Sequence, residues 1–361
     1  MGDNRSKHAS ISPNLHSVIH QSFIPYHILS HNLCRNPAIA AQENSSPAVA
    51  PTPSQRTNHL GNSKALVMSQ VIAGLIVAPI ERVHILMQCQ NEMLKSDTLS
   101  IPYKGMKDCL LRTIKHEGVF SLWRGYSLRV FEIVGVPTIL SMIIVKKQQA
   151  EQKKIEDITL IQSLSLVMIQ ALHKQPLDYA RTRLACDVKA ARILHNYSLD
   201  SSPRSISNGV GNWKFSGVFD VYYKTLKLDG VHGLYRGCTA ACVGMFVNYE
   251  TSKQIRSRDT TSKENKGRRG FIVLSLKATL PFLVTSAIHY PFITVNRRMM
   301  MTSGETTKYK GALGAIHQIL KHEGVSTLYK GVTPFIIHRL VFSYTTIAVL
   351  ISASYGLKLM K

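Results

Sequence analysis

Three short elements place charged or polar residues at fixed distances after a proline: Pro79-Ile80-Glu81-Arg82-Val83-His84, Pro176-Leu177-Asp178-Tyr179-Ala180-Arg181 and Pro291-Phe292-Ile293-Thr294-Val295-Asn296. Proline within a helix kinks it, and the residues two and five positions beyond lie near the same end of that helix. Glu81, Asp178 and Arg181 are charged there, His84 can be charged, and Ile293 and Asn296 cannot. Three such elements bring three kinked helices together around one axis. No G-x-x-x-x-G-K-[ST], H-E-x-x-H or G-x-S-x-G pattern occurs, so no enzyme, catalytic residue, resident cofactor or metal site is expected. His173 and His289, each just ahead of a proline element, read as polar residues at a helix end rather than as metal ligands.

These elements must be positioned by helices. The 361 residues carry 44 Lys+Arg against 21 Asp+Glu, a net charge of +23, yet only 18% of residues are charged and 45% are hydrophobic. The six cysteines, Cys34, Cys89, Cys109, Cys186, Cys238 and Cys242, form no C-x-x-C, which excludes a zinc ribbon or a disulfide-stapled secreted domain. Apolar stretches over 65–79, 126–145, 158–172, 238–249, 271–288 and 332–353 alternate with basic, glycine-bearing segments. Several are shorter or more polar than the roughly 20 apolar residues of an isolated spanning helix, so the helices must shield one another. The basic clusters recur beside apolar spans, an arrangement that suits a lipid surface rather than a nucleic acid. They lie mainly between spans one and two, three and four, and five and six, which puts those segments on one side of a membrane and both termini on the other.

An internal repeat organises these stretches. Tyr103-Lys104-Gly105, Glu117-Gly118 and Trp123-Arg124-Gly125 recur as Phe215-Ser216-Gly217, Asp229-Gly230 and Tyr235-Arg236-Gly237, and again as Tyr309-Lys310-Gly311, Glu323-Gly324 and Tyr329-Lys330-Gly331. The two outer glycines are 20 residues apart in all three copies. Repeats of 65–160, 161–262 and 263–361 follow, with a Ser-, Asn- and Gly-rich insertion at 187–214 and an N-terminal extension, disordered or partner-binding, at 1–64. That extension is poor in acids, as a targeting segment would be, and Met1-Gly2-Asp3-Asn4-Arg5-Ser6 also fits an N-myristoylation pattern.

Proline elements and glycine spacings together resemble the mitochondrial carrier family, whose motif is Pro-x-Asp/Glu-x-x-Lys/Arg at the end of each odd helix. Within the family the likeness is greatest to the ADP/ATP-carrier branch, through Pro79–Val83, Pro176–Ala185 and Asn296-Arg297-Arg298-Met299-Met300-Met301, where Asn296 replaces the first arginine of an Arg-Arg-Arg-Met-Met-Met hallmark. The resemblance implies an all-α membrane protein: a six-transmembrane-helix bundle of the inner mitochondrial membrane with threefold pseudosymmetry and short matrix helices, its termini facing the intermembrane space. Gly105, Gly125, Gly217, Gly237, Gly311 and Gly331 would offer backbone N–H groups and helix N-termini to cardiolipin.

Carried over residue by residue, the family's matrix network falls on Glu81, Arg181, Asp178, His84, Asn296 and Gln88. Its expected pairs are Glu81 with Arg181, Asp178 with Asn296, and Ile293 with His84, of which only the first is ionic. Two readings of that pair stand, a gate and a static structural bridge. Substrate contact points fall on Glu132, on Gly244 with Met245, and on His338 with Arg339, together with Arg297 and Arg298 of the hallmark. Glu132 stands where the branch has an arginine and would repel a polyphosphate. A different alignment brings Arg129 to the site, and an Arg129–Glu132 intrahelical pair is the further alternative. Glu132, Lys277, His338 and Arg339 read either as a site or as interface-snorkelling and partner-facing charges. The family's cytosolic gate finds no opposite charges, its positions falling on Val145, Gln148, Ser257, Thr260 and Leu350. Ile158–Lys174 and Phe271–Tyr290 also lack glycine, which argues for a fixed bundle.

The expectation is therefore a divergent, transport-impaired carrier-fold protein serving as an accessory subunit of a respiratory inner-membrane complex. The alternative is an active ADP/ATP-type or other anion antiporter. Expected partners are cardiolipin, proteins of such a complex and, if transport is retained, an adenine nucleotide, but no nucleic acid.

Overall fold

The computed structural model describes residues 53–134, 160–189, 213–259, 268–304 and 309–359. Residues 1–52, most of the 187–214 insertion, Val145, Gln148 and Thr260 lie outside the described residues, as do the side chains of Ser257, Lys277 and Leu350. The described residues form nine α-helices: α1 (Pro53–Lys95), α2 (Met106–Glu117), α3 (Tyr126–Val134), α4 (Leu160–Ala185), α5 (Val218–Leu234), α6 (Cys238–Asp259), α7 (Arg268–Met301), α8 (Ala312–Glu323) and α9 (Val332–Leu359). Their order repeats one pattern: a long proline-bearing helix, a short helix, a tight turn and a further helix, of which α3 is described over 9 residues, α6 over 22 and α9 over 28.

The kinked helices run further than hydropathy indicates. The apolar stretches end at or before Pro79, Pro176 and Pro291, whereas α1, α4 and α7 continue to Lys95, Ala185 and Met301. Proline costs the helix one hydrogen bond without ending it, and the following turns are buried against protein, so they need no apolar outer face. At the other end, α1 begins at Pro53, inside the segment assigned to the extension. Between Ser54 and Ser63 Gly61 is the poorest helix former and no proline interrupts, so α1 can propagate backwards through it.

Among the described residues only Val67–Lys95 and Val325–Val349 are long and apolar enough to cross a membrane on composition alone. The other helices expose apolar residues outward, such as Phe131, Leu164, Met168, Val243, Val284 and Ile288. Their polar residues, including Arg129, Glu132, Gln175, Arg181, Asn248 and Asn296, are buried inward. Such a helix has too mixed a composition to read as a span, yet suits a bundle that faces lipid with one side.

Three core clusters at the proline-bearing end straddle the repeats. One packs Val83, Leu86, Cys89 and Met93 of α1 against Cys109 of α2, Cys186 after α4, and Met301 of α7. A second joins Leu128, Tyr179, Leu184, Val221 and Met300. The third joins Ala240, Val295, Met299, Ile319 and Leu328. Two smaller clusters lie elsewhere: Ala73 and Val77 pack with Phe342 across repeats, and Val167 and Ala171 pack with Met245 within the second.

Candidate functional site at the helix kinks

Where α1, α4 and α7 meet, the glycine that opens each even-numbered span sets the spacing. Gly125, Gly237 and Gly331 have φ of 86°, 86° and 81°, a left-handed conformation that favours glycine. A Cβ on Gly125 would lie 3.6 Å from Arg181 Cγ, on Gly237 2.4 Å from Asn296 Oδ1, and on Gly331 3.2 Å from the His84 carbonyl. Each glycine thus faces the residue five positions after the proline of the next repeat, and the cycle closes from the third repeat to the first. These backbones approach protein, whereas Gly105 and Gly217, which open α2 and α5, have nothing within 4 Å of an added Cβ.

The three junctions above this ring differ chemically. At the first, Arg181 of α4 lies 3.2 Å from Glu81 of α1 and 3.2 Å from Glu132 of α3, and it also bonds Asp178 one turn back. Its hydrogen bonds go to Glu132 and Asp178, so Glu81 is held by charge. Glu132 takes two more cations, Arg129 at 3.0 Å and Lys174 at 3.0 Å. The Arg129–Glu132 intrahelical pair thus forms, and both residues are buried. Glu132 thus faces three protein cations, Arg129, Lys174 and Arg181.

At the second junction the expected Asp178–Asn296 contact is replaced. Asp178 is held by Arg181 and faces Lys174 at 3.8 Å, both on its own helix. Asn296 Oδ1 instead accepts from Gln175 Nε2 at 2.9 Å, and the same nitrogen donates to the Arg236 carbonyl at 2.8 Å. A carboxylate with cations one turn away has no need of a neutral amide across the junction.

The third junction is built around Arg297 rather than Ile293. Arg297 donates to Gln88 at 2.6 Å and lies 3.2 Å from His84 Nδ1, while Gln88 donates to Thr294 at 2.7 Å. His84 also packs against Phe335 and Tyr290 with ring centroids 5.2 and 5.9 Å away.

The remaining candidates separate. Arg298, one residue and about 100° around the helix from Arg297, is fully buried and bonds Glu323 of α8 at 2.7 Å, away from the Arg297–His84–Gln88 cluster. Gly244 and Met245 are also packing positions: a Cβ on Gly244 would meet Phe292 Cβ at 2.7 Å, and Met245 is buried with Val167 and Ala171. His338 reaches the centre, with Nε2 3.8 Å from Glu81, and the neighbouring Arg339 lies over the Phe335 ring at 5.9 Å. Gly74 abuts Tyr126, whose hydroxyl would be 3.1 Å from a Cβ there.

Lys174 and Gln175 were missed as site residues, although they stand just before Pro176 and so fall about one turn before Asp178 and two before Arg181. The acids of the short helices were seen only as repeat markers. Glu117 lies 2.7 Å from Arg82 of its own repeat and accepts the Lys189 N–H of the second. Asp229 accepts from Ser303 Oγ at 2.6 Å and Gly304 N at 2.9 Å in the third. Glu323 bonds Arg298 of its own repeat, and Lys95 and Asn91 of the first at 2.6 and 2.5 Å.

A family model described as mitochondrial carrier protein matches residues 57–146, 159–254 and 275–353. Similar proteins include ADP,ATP carrier protein 1, mitochondrial, of Triticum aestivum, 38% identical over 282 residues, or 73% of this chain and 78% of that protein. The ADP,ATP carrier protein, mitochondrial, of Solanum tuberosum is 38% identical over 73% of this chain and 67% of its own length. ADP,ATP carrier protein 2, mitochondrial, of Arabidopsis thaliana is 35% identical over 337 residues, 86% of this chain and 81% of that protein.

Proposed function

The chain belongs to the mitochondrial carrier family, and we propose that it is an inner-membrane antiporter for anions of the adenine-nucleotide class. The observation that carries this reading is the charge balance at the kinks. Arg129, Lys174, Arg181, Arg297 and Arg339 gather there with three carboxylates, Glu81, Glu132 and Asp178. Cations outnumber acids, and clustered guanidiniums suit the bidentate, charge-assisted recognition of phosphate. Relatives named as ADP,ATP carriers point to the same substrate class. Arg181 would leave Glu81 as an anion passes, the step that a gate requires.

In this reading both termini face the intermembrane space and the short helices α2, α5 and α8 rest on the matrix surface. Leu111, Tyr223 and Leu313 point outward from them, as interfacial amphipathic helices require. Cardiolipin would be held by the N–H groups that begin these helices after Gly105, Gly217 and Gly311.

A second reading, a transport-impaired accessory subunit of a respiratory complex, is favoured by one observation. Two of the three junctions close without an ion pair, through Gln175–Asn296 and through Arg297–His84–Gln88. The test is exchange of external ATP for internal ADP by the purified chain in cardiolipin liposomes. Exchange is expected. Its absence, with the native protein migrating in a large complex, would establish the second reading.

A further inference from the structure

His338 is the one histidine of the kink region whose ring nitrogen faces a carboxylate without bonding it. Its side chain is 6% exposed, its ring stacks on Phe342, and Nε2 lies buried with no hydrogen-bond partner 3.8 Å from Glu81. A buried imidazole nitrogen left unbonded is costly. Adding a proton there would turn the gap into an ion pair.

Cations outnumber carboxylates around it in the unliganded protein. Helix α1 contributes Glu81 and His84, α3 contributes Arg129, α4 Arg181, α7 Arg297 and α9 Arg339. Glu81 alone favours an imidazolium, and Arg181 already shares it. A di- or triphosphate that takes up guanidiniums at this site reverses the balance. It neutralises the opposing cations, and when it draws Arg181 away it leaves Glu81 buried without its main partner. Among the described residues His338 is the other basic group within 4 Å of Glu81, Arg129 acting on it from further away.

We propose that His338 takes up one proton from water when a phosphate-bearing anion binds at the central arginines, so that anion and proton bind together. The inference rests on the anion-antiporter reading and adds a coupled ion to it. No bond other than N–H forms, and the imidazolium replaces Arg181 as the partner of Glu81. The nearby His84 does not have this role, because its ring nitrogens face Arg297, a cation.

Calorimetric titration of the purified full chain with ADP and with pyrophosphate tests this in buffers of different ionisation enthalpy. The work is done at about pH 8, above the second ionisation of phosphate. The heats should report net uptake of about one proton per anion, and affinity should fall by about tenfold per pH unit as pH rises. Uptake should vanish in His338→Gln and persist in His84→Gln. Binding without uptake, affinity flat with pH, or uptake retained in His338→Gln would overturn the proposal. If neither anion binds, the anion site itself fails, and the coupling with it. Anion binding with proton uptake in a protein that exchanges nothing in liposomes would instead support the coupling and overturn transport alone.

Discussion

Two sets of polar contacts join the same three repeats, one at the short helices and one at the helix kinks. In the first, Glu117, Asp229 and Glu323 hold equivalent positions, and each accepts from the following repeat: Lys189 N–H, Ser303 with Gly304, and Lys95 with Asn91. In the second, one junction is ionic, one is an amide pair and one is an arginine–imidazole–amide cluster. The threefold design is therefore intact where it fastens the scaffold. It is broken where helices must part if anything is to pass. Charge at the short helices serves cohesion, whereas at the kinks an unequal distribution lets the junctions differ in the ease with which they open.

The comparison predicts that the largest loss of stability comes from stranding one of the acids of the first set. Arg82 and Glu117 pair at 2.7 Å with side chains 1% and 0% exposed. Arg82→Ala leaves Glu117 buried with one backbone N–H, and a stranded buried charge costs about 3–5 kcal/mol. Thermal unfolding in detergent with added cardiolipin should show this drop. A loss smaller than that of any kink variant would reverse the ranking of the two sets.

Arg181→Ala should come next, at about 2–4 kcal/mol. It removes a partner from three carboxylates, but Lys174 and Arg129 still neutralise Glu132. Glu81 is the group left stranded, so the double variant Glu81→Gln/Arg181→Ala should recover part of the loss. Asn296→Ala breaks one amide contact with Gln175 and should cost about 1 kcal/mol. Equal losses for Arg181→Ala and Asn296→Ala would mean that the junctions are not chemically distinct after all.

The repeats and the kinked helices were legible because glycine and proline impose backbone conditions that show directly as spacing. The glycines at 125, 237 and 331 lie where the backbone takes positive φ and touches the next repeat. Helix lengths were less legible, since hydropathy reports what faces lipid, and the turns beyond each proline face protein. The Arg129–Glu132 pair could be written from helical spacing, and the Glu81–Arg181 pair from the family resemblance. Asp178–Asn296 could not be excluded that way, because its failure depends on Lys174 competing from the same helix. Nor could Arg297 be told from Arg298, since neighbouring residues on a helix point to different sides and only the packing of α7 against α8 decides which is buried.

The smallest predicted effect asks whether the short-helix set is held by charge as well as by shape. Glu323 is half-buried. Burial alone would raise its pKa, but hydrogen bonds from Lys95 and Arg298 outweigh it and hold the carboxyl down at about 2. A carboxylate whose folded pKa lies below its unfolded value of about 4.3 contributes stability above that value, and loses the contribution as pH falls toward the folded one. The melting temperature of the wild-type protein should therefore fall between about pH 4.5 and pH 2. Glu323→Gln should lower the neutral-pH melting temperature slightly, since the site is partly open to solvent and screened. The same substitution should flatten the acid limb, because the amide has no proton to gain. An acid limb unchanged in Glu323→Gln would mean that Asn91, Lys95 and Arg298 hold α8 by geometry, and that the contrast between the two sets is one of packing and not of charge.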